Sequence, residues 1–154
     1  MKITGSTLAK NRRAHFDYEL SDLFEAGIAL EGFEVKAARA GKMNLSGSYV
    51  LIKNKQPVLF NATIEPYQPA NTPEGYDSGR TRKLLLKKEE IKKLIGIIKE
   101  KRISLIPIRV YKKGGLIKLE IKVGRSKKKA DKRQSIKKRD TKRDMDREIK
   151  KHNN

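Results

Sequence analysis

One stretch, residues 24–45, constrains the fold of this 154-residue chain more than any other. It reads FEAGIALEGFEVKAARAGKMNL, in which Ile28 and Leu30 share one phase of an alternating pattern and Phe33 falls in the opposite phase. Because the side chains of a strand alternate between its two faces, one extra residue must be accommodated between them. A β-bulge at Gly32 would accommodate it and would bend the strand, as the corner of a small barrel requires.

We expect the bent strand to continue into a short helix over residues 37–40, which Gly41 ends. Lys36, Arg39 and Lys42 accompany that helix, so the strand would deliver three cations to a fixed place on the surface. The other segments are expected to pack against this strand or to extend the positive field that begins there.

Alternating apolar residues predict further strands, and the strictest alternation lies at residues 117–123. The other strands are predicted at residues 16–20, 49–53, 57–64 and 106–110. A short helix capped by Ser21 is expected between the first strand and the bulged strand. Residues 88–101 repeat apolar side chains at i, i+3, i+4 and i+7, which predicts a helix. The fold class is therefore mainly β, an OB-like antiparallel barrel of about six strands with peripheral short helices, because closure removes exposed edges.

Charge indicates the partners. The chain has 38 Lys and Arg against 18 Asp and Glu, a net charge of +20, which favours nucleic acid, an anionic membrane or an acidic protein as partner. Residues 125–151 hold 14 of the cations and 5 acidic residues with few apolar ones, a composition typical of disorder. We therefore divide the chain into a flexible arm at 1–10, a barrel at 11–123 and a basic tail at 124–154 that is disordered when free.

Other sequence features narrow the class of protein. Cysteine is absent, which excludes disulfides and Cys-based zinc sites, and no apolar run reaches membrane-spanning length, so we expect a cytoplasmic protein. His15 and Asp17 would share a face of the first strand and form the one His–carboxylate pair worth testing as catalytic. With no identifiable third ligand or nucleophile and no Gly-rich phosphate loop, the sequence predicts no enzyme, no metal and no cofactor.

Five segments give the chain a resemblance to a known family. FEAGIALEGFEVKAARAGKMNL, SYVLIKN, NATIEPY, RTRKLLL and GRSKKKADKR occur in the order and spacing of the SmpB family, the SsrA-binding proteins of bacteria, over residues 11 to about 149. The resemblance implies a barrel that binds transfer-messenger RNA and carries it into the vacant A site of a stalled ribosome. It also implies elongation factor Tu as a partner through the RNA complex. The tail would form a helix in the empty mRNA channel, beside the 16S rRNA decoding centre.

The resemblance also implies which barrel residues meet RNA. Glu25 would accept hydrogen bonds from base N–H or 2′-OH groups, or would hold a neighbouring cation in position. Leu85 matches a leucine at the family's RNA surface, and Asn61 has a turn cap as its alternative role. The expected barrel contacts are Asn11, Arg12, Arg13, His15, Glu25, Glu34, Lys36, Arg39, Lys42, Asn44, Asn61, Arg80, Arg82, Lys83 and Leu85.

The tail matches the same family with two departures. Ser126 stands where Gly is usual, which stiffens the expected hinge, and Ala130 replaces a larger side chain that could stack on a base. Carboxylates followed by cations, such as Asp140 and Arg143, favour a helix on binding. The expected ribosome contacts are Gly124, Arg125, Lys127, Lys128, Asp131, Lys132, Arg133, Lys137 and Arg143.

Two other functions remain open from the residues alone. A generic basic RNA-binding or ribosomal protein of OB-like fold would show the same charge, and its tail would be a generic polycation. A nucleic-acid-processing enzyme would have to use the His15–Asp17 pair.

Overall fold

The computed structural model describes residues 5–152, with the backbone alone for residues 129–132, 134–135 and 151–152. A 3-10 turn lies at Pro69–Asn71, within the predicted irregular loop at 66–79. In chain order, the other elements are β1 (Ser6–Lys10), α1 (Ala14–Asp17), β2 (Tyr18–Ile28), α2 (Gly32–Arg39), β3 (Met43–Asn44), β4 (Tyr49–Lys53), β5 (Gln56–Phe60), β6 (Thr63–Ile64), β7 (Arg82–Leu85), α3 (Lys88–Ile97), β8 (Ile103–Lys113), β9 (Leu116–Ser126) and α4 (Lys129–His152).

Within the described residues, six strands close into an antiparallel barrel. Their order around the ring is β8, β4, β5, β7, β2 and β9, and β9 pairs again with β8. β1 pairs with residues 109–112 of β8, whereas β4 meets the same strand at Leu105. β3 and β6 form a separate two-stranded sheet. The predicted mainly β fold with an OB-like ring of about six strands is confirmed.

The barrel interior is filled by alternate residues of the strands. Phe24, Ala26, Leu84 and Ile121 belong to one buried cluster. α3 begins where predicted and adds Leu94, which is fully buried, to the same cluster. Burial of each large side chain of this kind stabilises the fold by about 1.5–3 kcal/mol, so this cluster holds the ring together.

β2 is longer than the sequence predicted. It pairs with β9 along its length, and its register shifts between Ser21 and Leu23, so the bulge lies there rather than at Gly32. The predicted helix capped by Ser21 is wrong, because these residues continue the ladder. Phe16 belongs to α1 and not to the first strand.

α2 replaces the second half of the predicted bulged strand. The backbone N–H of Glu31 donates to the Glu34 carboxylate at 2.9 Å, a bond typical of a capping box, and the helix begins at Gly32. Helical periodicity then buries the adjacent residues Ala37 and Ala38. Gly41, with φ of +79°, follows the helix end as predicted.

The domain boundaries need correction at both ends of the barrel. Residues 6–10 form β1 and pair with β8, so the predicted flexible arm is wrong for them; the arm's first four residues lie outside the described chain. β9 continues to Ser126, where Gly124 pairs with Leu20 and Arg125 with Glu19. Gly124 and Arg125 therefore belong to the barrel rather than to the tail.

α4 is a helix over residues 129–152, the conformation that the resemblance implies for the tail on the ribosome, and disorder of the free tail stays a prediction. Its sequence contains strong helix formers and neither Gly nor Pro, which explains the helix. The described α4 side chains are exposed. Before the helix, the Lys127 ammonium donates to the His15 carbonyl at 2.9 Å, and within it the Arg139 guanidinium lies 6.0 Å from the centroid of the Phe16 ring. The helix thus touches the barrel at α1. In the described chain, no helix is long and apolar enough to cross a membrane.

Candidate nucleic-acid interface

A buried ion-pair cluster connects α2 with the chain leading into β7. The Glu34 carboxylate accepts from Arg82 Nη2 at 2.7 Å, from the Tyr76 hydroxyl at 2.9 Å and from the Arg80 guanidinium. The side chains of Glu34 and Arg82 have no exposed surface. Burial raises the pKa of Glu34, but the hydrogen bonds from Arg80, the Glu31 backbone, Arg82 and Tyr76 outweigh burial and bring the pKa to about 2. This cluster fixes α2 and the 66–79 loop on the barrel.

Three expected RNA contacts are therefore structural instead. Glu34 and Arg82 are enclosed and fully engaged with each other, so they present no group to a phosphate or base. Asn11 is also buried, and its side-chain amide donates to the Pro107 carbonyl at 3.0 Å. Arg80 is different, because one third of its side chain remains exposed beside the cluster.

Glu25 lies in a second polar network, on the outside of β2, β8 and β9. Its carboxylate accepts from the Tyr111 hydroxyl and, at 3.2 Å, from the Lys113 ammonium. It lies opposite Glu120 in the β2–β9 ladder, and Glu120 accepts from Arg109 Nε at 2.8 Å. Each carboxylate in this network is thus matched to a cation on β8.

The electrostatics of this network keep Glu25 ionised. The Tyr111 hydrogen bond, ahead of burial that acts in the opposite direction, lowers the pKa of Glu25, and Lys113 lowers it further. Burial and the Glu25 carboxylate raise the pKa of Tyr111. The arrangement fits the interpretation that Glu25 positions a cation, here Lys113. Tyr111 and Lys113 were missed by the sequence analysis, although the register of the β8–β9 hairpin would have placed them beside Glu25.

Two exposed leucines lie at the same end of the barrel. Leu85 is 63 % exposed and Leu116 is 62 % exposed, and with Leu30 and Val35 they line a cavity of about 230 Å³. Leu85 packs closely against the backbone of Gly27, because a Cβ at Gly27 would lie 3.3 Å from the Leu85 Cβ. The surface position predicted for Leu85 is confirmed, and its RNA contact stays a prediction. Leu116 was missed, although it precedes the strict alternation at residues 117–123 in the opposite phase, which places it on the outer face of β9.

Cations lie on the elements next to these leucines. Arg39 donates to the Gly115 carbonyl at 3.3 Å, which brings α2 to the β8–β9 turn. The predicted contacts that are exposed on α2, on the turn that follows it and on β7 are Lys36, Arg39, Lys42 and Lys83. We call the surface formed by Lys36, Arg39, Lys83 and Lys113 with Leu85 and Leu116 the leucine–cation surface.

The two remaining asparagines occupy turns. Asn44 is exposed, but its side-chain oxygen accepts from the Ser46 backbone at 2.8 Å. Asn61 is exposed and has φ of +61°, a left-handed conformation that Asn adopts more readily than most residues. The alternative of a turn role therefore accounts for Asn61.

A second group of predicted residues lies apart from the leucines, where α1 meets the tail. Arg12, Arg13 and His15 are exposed there, and Arg13 forms a 3.5 Å ion pair with Asp17. His15 and Asp17 are two residues apart on a helix and do not share a face, so the predicted pair is wrong. Among the residues whose side chains are described, no group of His, Cys, Asp and Glu could hold a metal ion.

The residues predicted to contact the ribosome also include both buried and exposed ones. Lys127 is partly buried at α1, and those exposed beyond it are Lys128, Arg133, Lys137 and Arg143. Asp131 and Lys132, like Ala130, have side chains outside the described ones. Gly124 is buried in β9. Arg125 follows it, and Nη2 of its guanidinium lies 3.5 Å from Oε2 of Glu100.

The fold and these surfaces define a basic β-barrel protein of the nucleic-acid-binding class. A family model described as SmpB protein matches residues 8–151 of the chain. Similar curated proteins, each named SsrA-binding protein, come from Microcystis aeruginosa, 46 % identical over 93 % of both chains, and from Gloeobacter violaceus, 46 % identical over 94 % of both. A further one, from Anoxybacillus flavithermus, is 43 % identical over 93 % of this chain and 92 % of its own. The chain belongs to the SmpB family.

A solved structure agrees with this assignment. One chain of the work described as "tmRNA-SmpB: a journey to the center of the bacterial ribosome" superposes with a TM-score of 0.64 and is 40 % identical. The match covers 78 % of this chain and 84 % of that one. The barrel described above is therefore the fold of a relative that was studied with the ribosome.

Proposed function

We propose that this protein binds transfer-messenger RNA and brings it to stalled ribosomes for trans-translation. The observation that carries the proposal is the leucine–cation surface, where two exposed leucines lie among cations at one end of a closed barrel. The names of the relatives and the ribosomal context of the solved neighbour support the RNA and the process. The protein acts in the cytoplasm as a binding factor without catalysis.

Recognition at this surface combines charge and shape. Lys36, Arg39 and Lys83 contact phosphates, which fix the register of the RNA on the barrel without reading its sequence. Leu85 and Leu116 contact the apolar faces of unstacked bases or sugars, which a regular duplex does not offer. Glu25 holds Lys113 towards the RNA, and the folded elbow of a tRNA-like domain is the shape that meets both groups.

The tail contacts a second RNA. α4 carries exposed cations on all sides, so it follows ribosomal RNA phosphates in the empty mRNA channel in any helical phase. The segment that joins it to the barrel, with Lys127 and Lys128, lies at the decoding centre. Elongation factor Tu joins through the RNA complex.

Competition between RNA shapes tests the proposal. The full chain is titrated with a tRNA-like elbow and with a plain duplex of equal length at one fixed salt concentration, because any basic protein weakens as salt rises. We expect the elbow to bind at least about tenfold tighter, since a good contact to unstacked bases contributes roughly 1–3 kcal/mol. Equal affinity for the two RNAs would instead support a generic basic RNA-binding protein.

A further inference from the structure

A second cavity, separate from the one at Leu85, lies between the start of α2 and the chain that follows β6. Its volume is about 400 Å³. It is lined by Gly32, Phe33, Lys36, Tyr67, Gln68 and Asn71. None of these six residues is acidic, and Lys36 is the one charged residue among them, so the cavity suits an anionic ligand rather than a cation.

One wall of this cavity is held rigidly. The Phe33 ring packs edge-on against the Tyr76 ring with centroids 4.9 Å apart and planes at 89°. Tyr76 is itself fixed, because its hydroxyl donates to Glu34 and lies 3.1 Å from the Ile64 carbonyl. The buried ion-pair cluster therefore orders this wall before any ligand arrives.

The opposite wall is a pre-formed turn. Asn71 N–H donates to the Gln68 carbonyl at 3.0 Å, and the Thr72 hydroxyl donates to the same carbonyl at 2.9 Å. The Asn71 side-chain amide donates to the side-chain oxygen of Gln68 at 3.0 Å. This pairing leaves the Gln68 NH₂ as a donor and the Asn71 oxygen as an acceptor at the cavity. Beside them, Tyr67 is 49 % exposed.

We propose that this cavity binds one unpaired base of the RNA that the barrel carries. The base stacks on the Tyr67 ring, and its edge bonds to the amides of Gln68 and Asn71, which offer both a donor and an acceptor. The adjoining phosphate pairs with Lys36. The inference rests on the proposed function and adds a base-specific site to a surface otherwise built for phosphates and shape.

A larger residue at Gly32 fills the cavity without removing any side chain that lines it. A Cβ at Gly32 meets nothing within 4 Å, so Gly32→Leu places its side chain in the open space that Gly32 lines. Gly96 lies in α3, away from the cavity, and its Cβ likewise meets nothing within 4 Å, so Gly96→Leu is the matched control. Tyr67→Ala removes the stacking ring, and Tyr67→Phe keeps it.

The experiment measures binding of transfer-messenger RNA by each full-length variant, together with chemical probing of the Watson–Crick edges of the RNA. We expect Gly32→Leu and Tyr67→Ala to raise the Kd about 5- to 150-fold, the range that corresponds to loss of one stacked base. Gly96→Leu and Tyr67→Phe should stay within about twofold of the wild type. One unpaired base, protected by the wild type, should become reactive with the first two variants while the rest of the footprint persists.

Two results would overturn the base site alone: wild-type affinity of Gly32→Leu and Tyr67→Ala, or weakening with no single base becoming reactive. Failure of the wild-type protein to bind the RNA would overturn the proposed function as well. The two failures are thus distinguishable in one set of titrations.

Discussion

At the scale of single residues, the structure separates charges that hold the protein together from charges that are free to meet RNA. Glu34 and Arg82 resemble RNA contacts in sequence, because both lie in motifs rich in cations. In the structure they pair with each other in the interior, whereas Lys36 and Lys83, which we propose contact phosphates, are exposed. Buried charges of this kind depend on their partner, because an unpaired charge in the interior is costly.

Glu34→Gln should therefore destabilise the protein by roughly 3–5 kcal/mol, because it leaves two arginines beside a neutral group. Urea unfolding measures the loss. Glu65→Gln, at an exposed residue just after β6, is the matched control and should change stability by less than about 0.5 kcal/mol. Equal effects of the two substitutions would contradict the assignment.

The same carboxylate gives a pH dependence. The pKa of Glu34 falls from its ordinary value of 4.5 to about 2 on folding, so its contribution is fully present above about pH 4.5 and is lost as the pH falls towards 2. The loss amounts to roughly 3 kcal/mol. The free energy of unfolding, measured from urea curves at a series of pH values, should fall as the pH is lowered through this range in the wild type. It should fall less in Glu34→Gln.

At the scale of elements, the sequence analysis succeeded where one periodicity dominates and failed where two compete. β9 and α3 were predicted because a single spacing of apolar residues runs through each. Residues 28–35 fit a bulged strand and a helix almost equally well, and the capping interaction of Glu34 with Glu31 decides for α2. That interaction is visible in sequence as Glu-x-x-Glu, but the burial of Glu34 depends on Arg80 and Arg82, more than forty residues away.

The end of β9 offers a second correction that can be tested. A Cβ at Gly124 would lie 2.8 Å from Ile106 Cγ1 and 3.2 Å from the Tyr18 Cβ, so Gly124→Ala should destabilise the barrel by about 1–3 kcal/mol. Gly115→Ala, at the β8–β9 turn with nothing within 4 Å, should be close to neutral. A flexible hinge at Gly124 would tolerate alanine, and thermal melting distinguishes the two cases.

At the scale of the whole molecule, the leucine–cation surface and the cavity beside Tyr67, both proposed to meet RNA, lie on one barrel, and the tail contacts that barrel at α1. The charge division between barrel and tail was predictable from composition. The helix-forming residues and charge spacing of α4 also favour its helix, whereas the strand at residues 6–10 was not predictable, because a short segment gains order from contacts that composition does not reveal.

Truncation after Lys128 keeps every strand and removes α4. We expect the truncated protein to keep its RNA affinity at the leucine–cation surface within about threefold, because few contacts join α4 to the barrel, while tagging on stalled ribosomes is lost. Far-UV circular dichroism should lose the signal of the 24 residues of α4. Full tagging by the truncated protein would refute the role of the tail, and an unchanged spectrum would show that α4 is unfolded in solution.

The joint between β4 and β8 has a consequence of its own. In the described part of the chain, these strands share one register pair, Val50 with Leu105, whereas the neighbouring ladders are longer. Few hydrogen bonds have to break for the ring to part there, so we expect the barrel to open at this joint at a low free-energy cost. Opening would expose the backbone edge of β4, and heated or crowded samples would begin to aggregate by pairing along that edge.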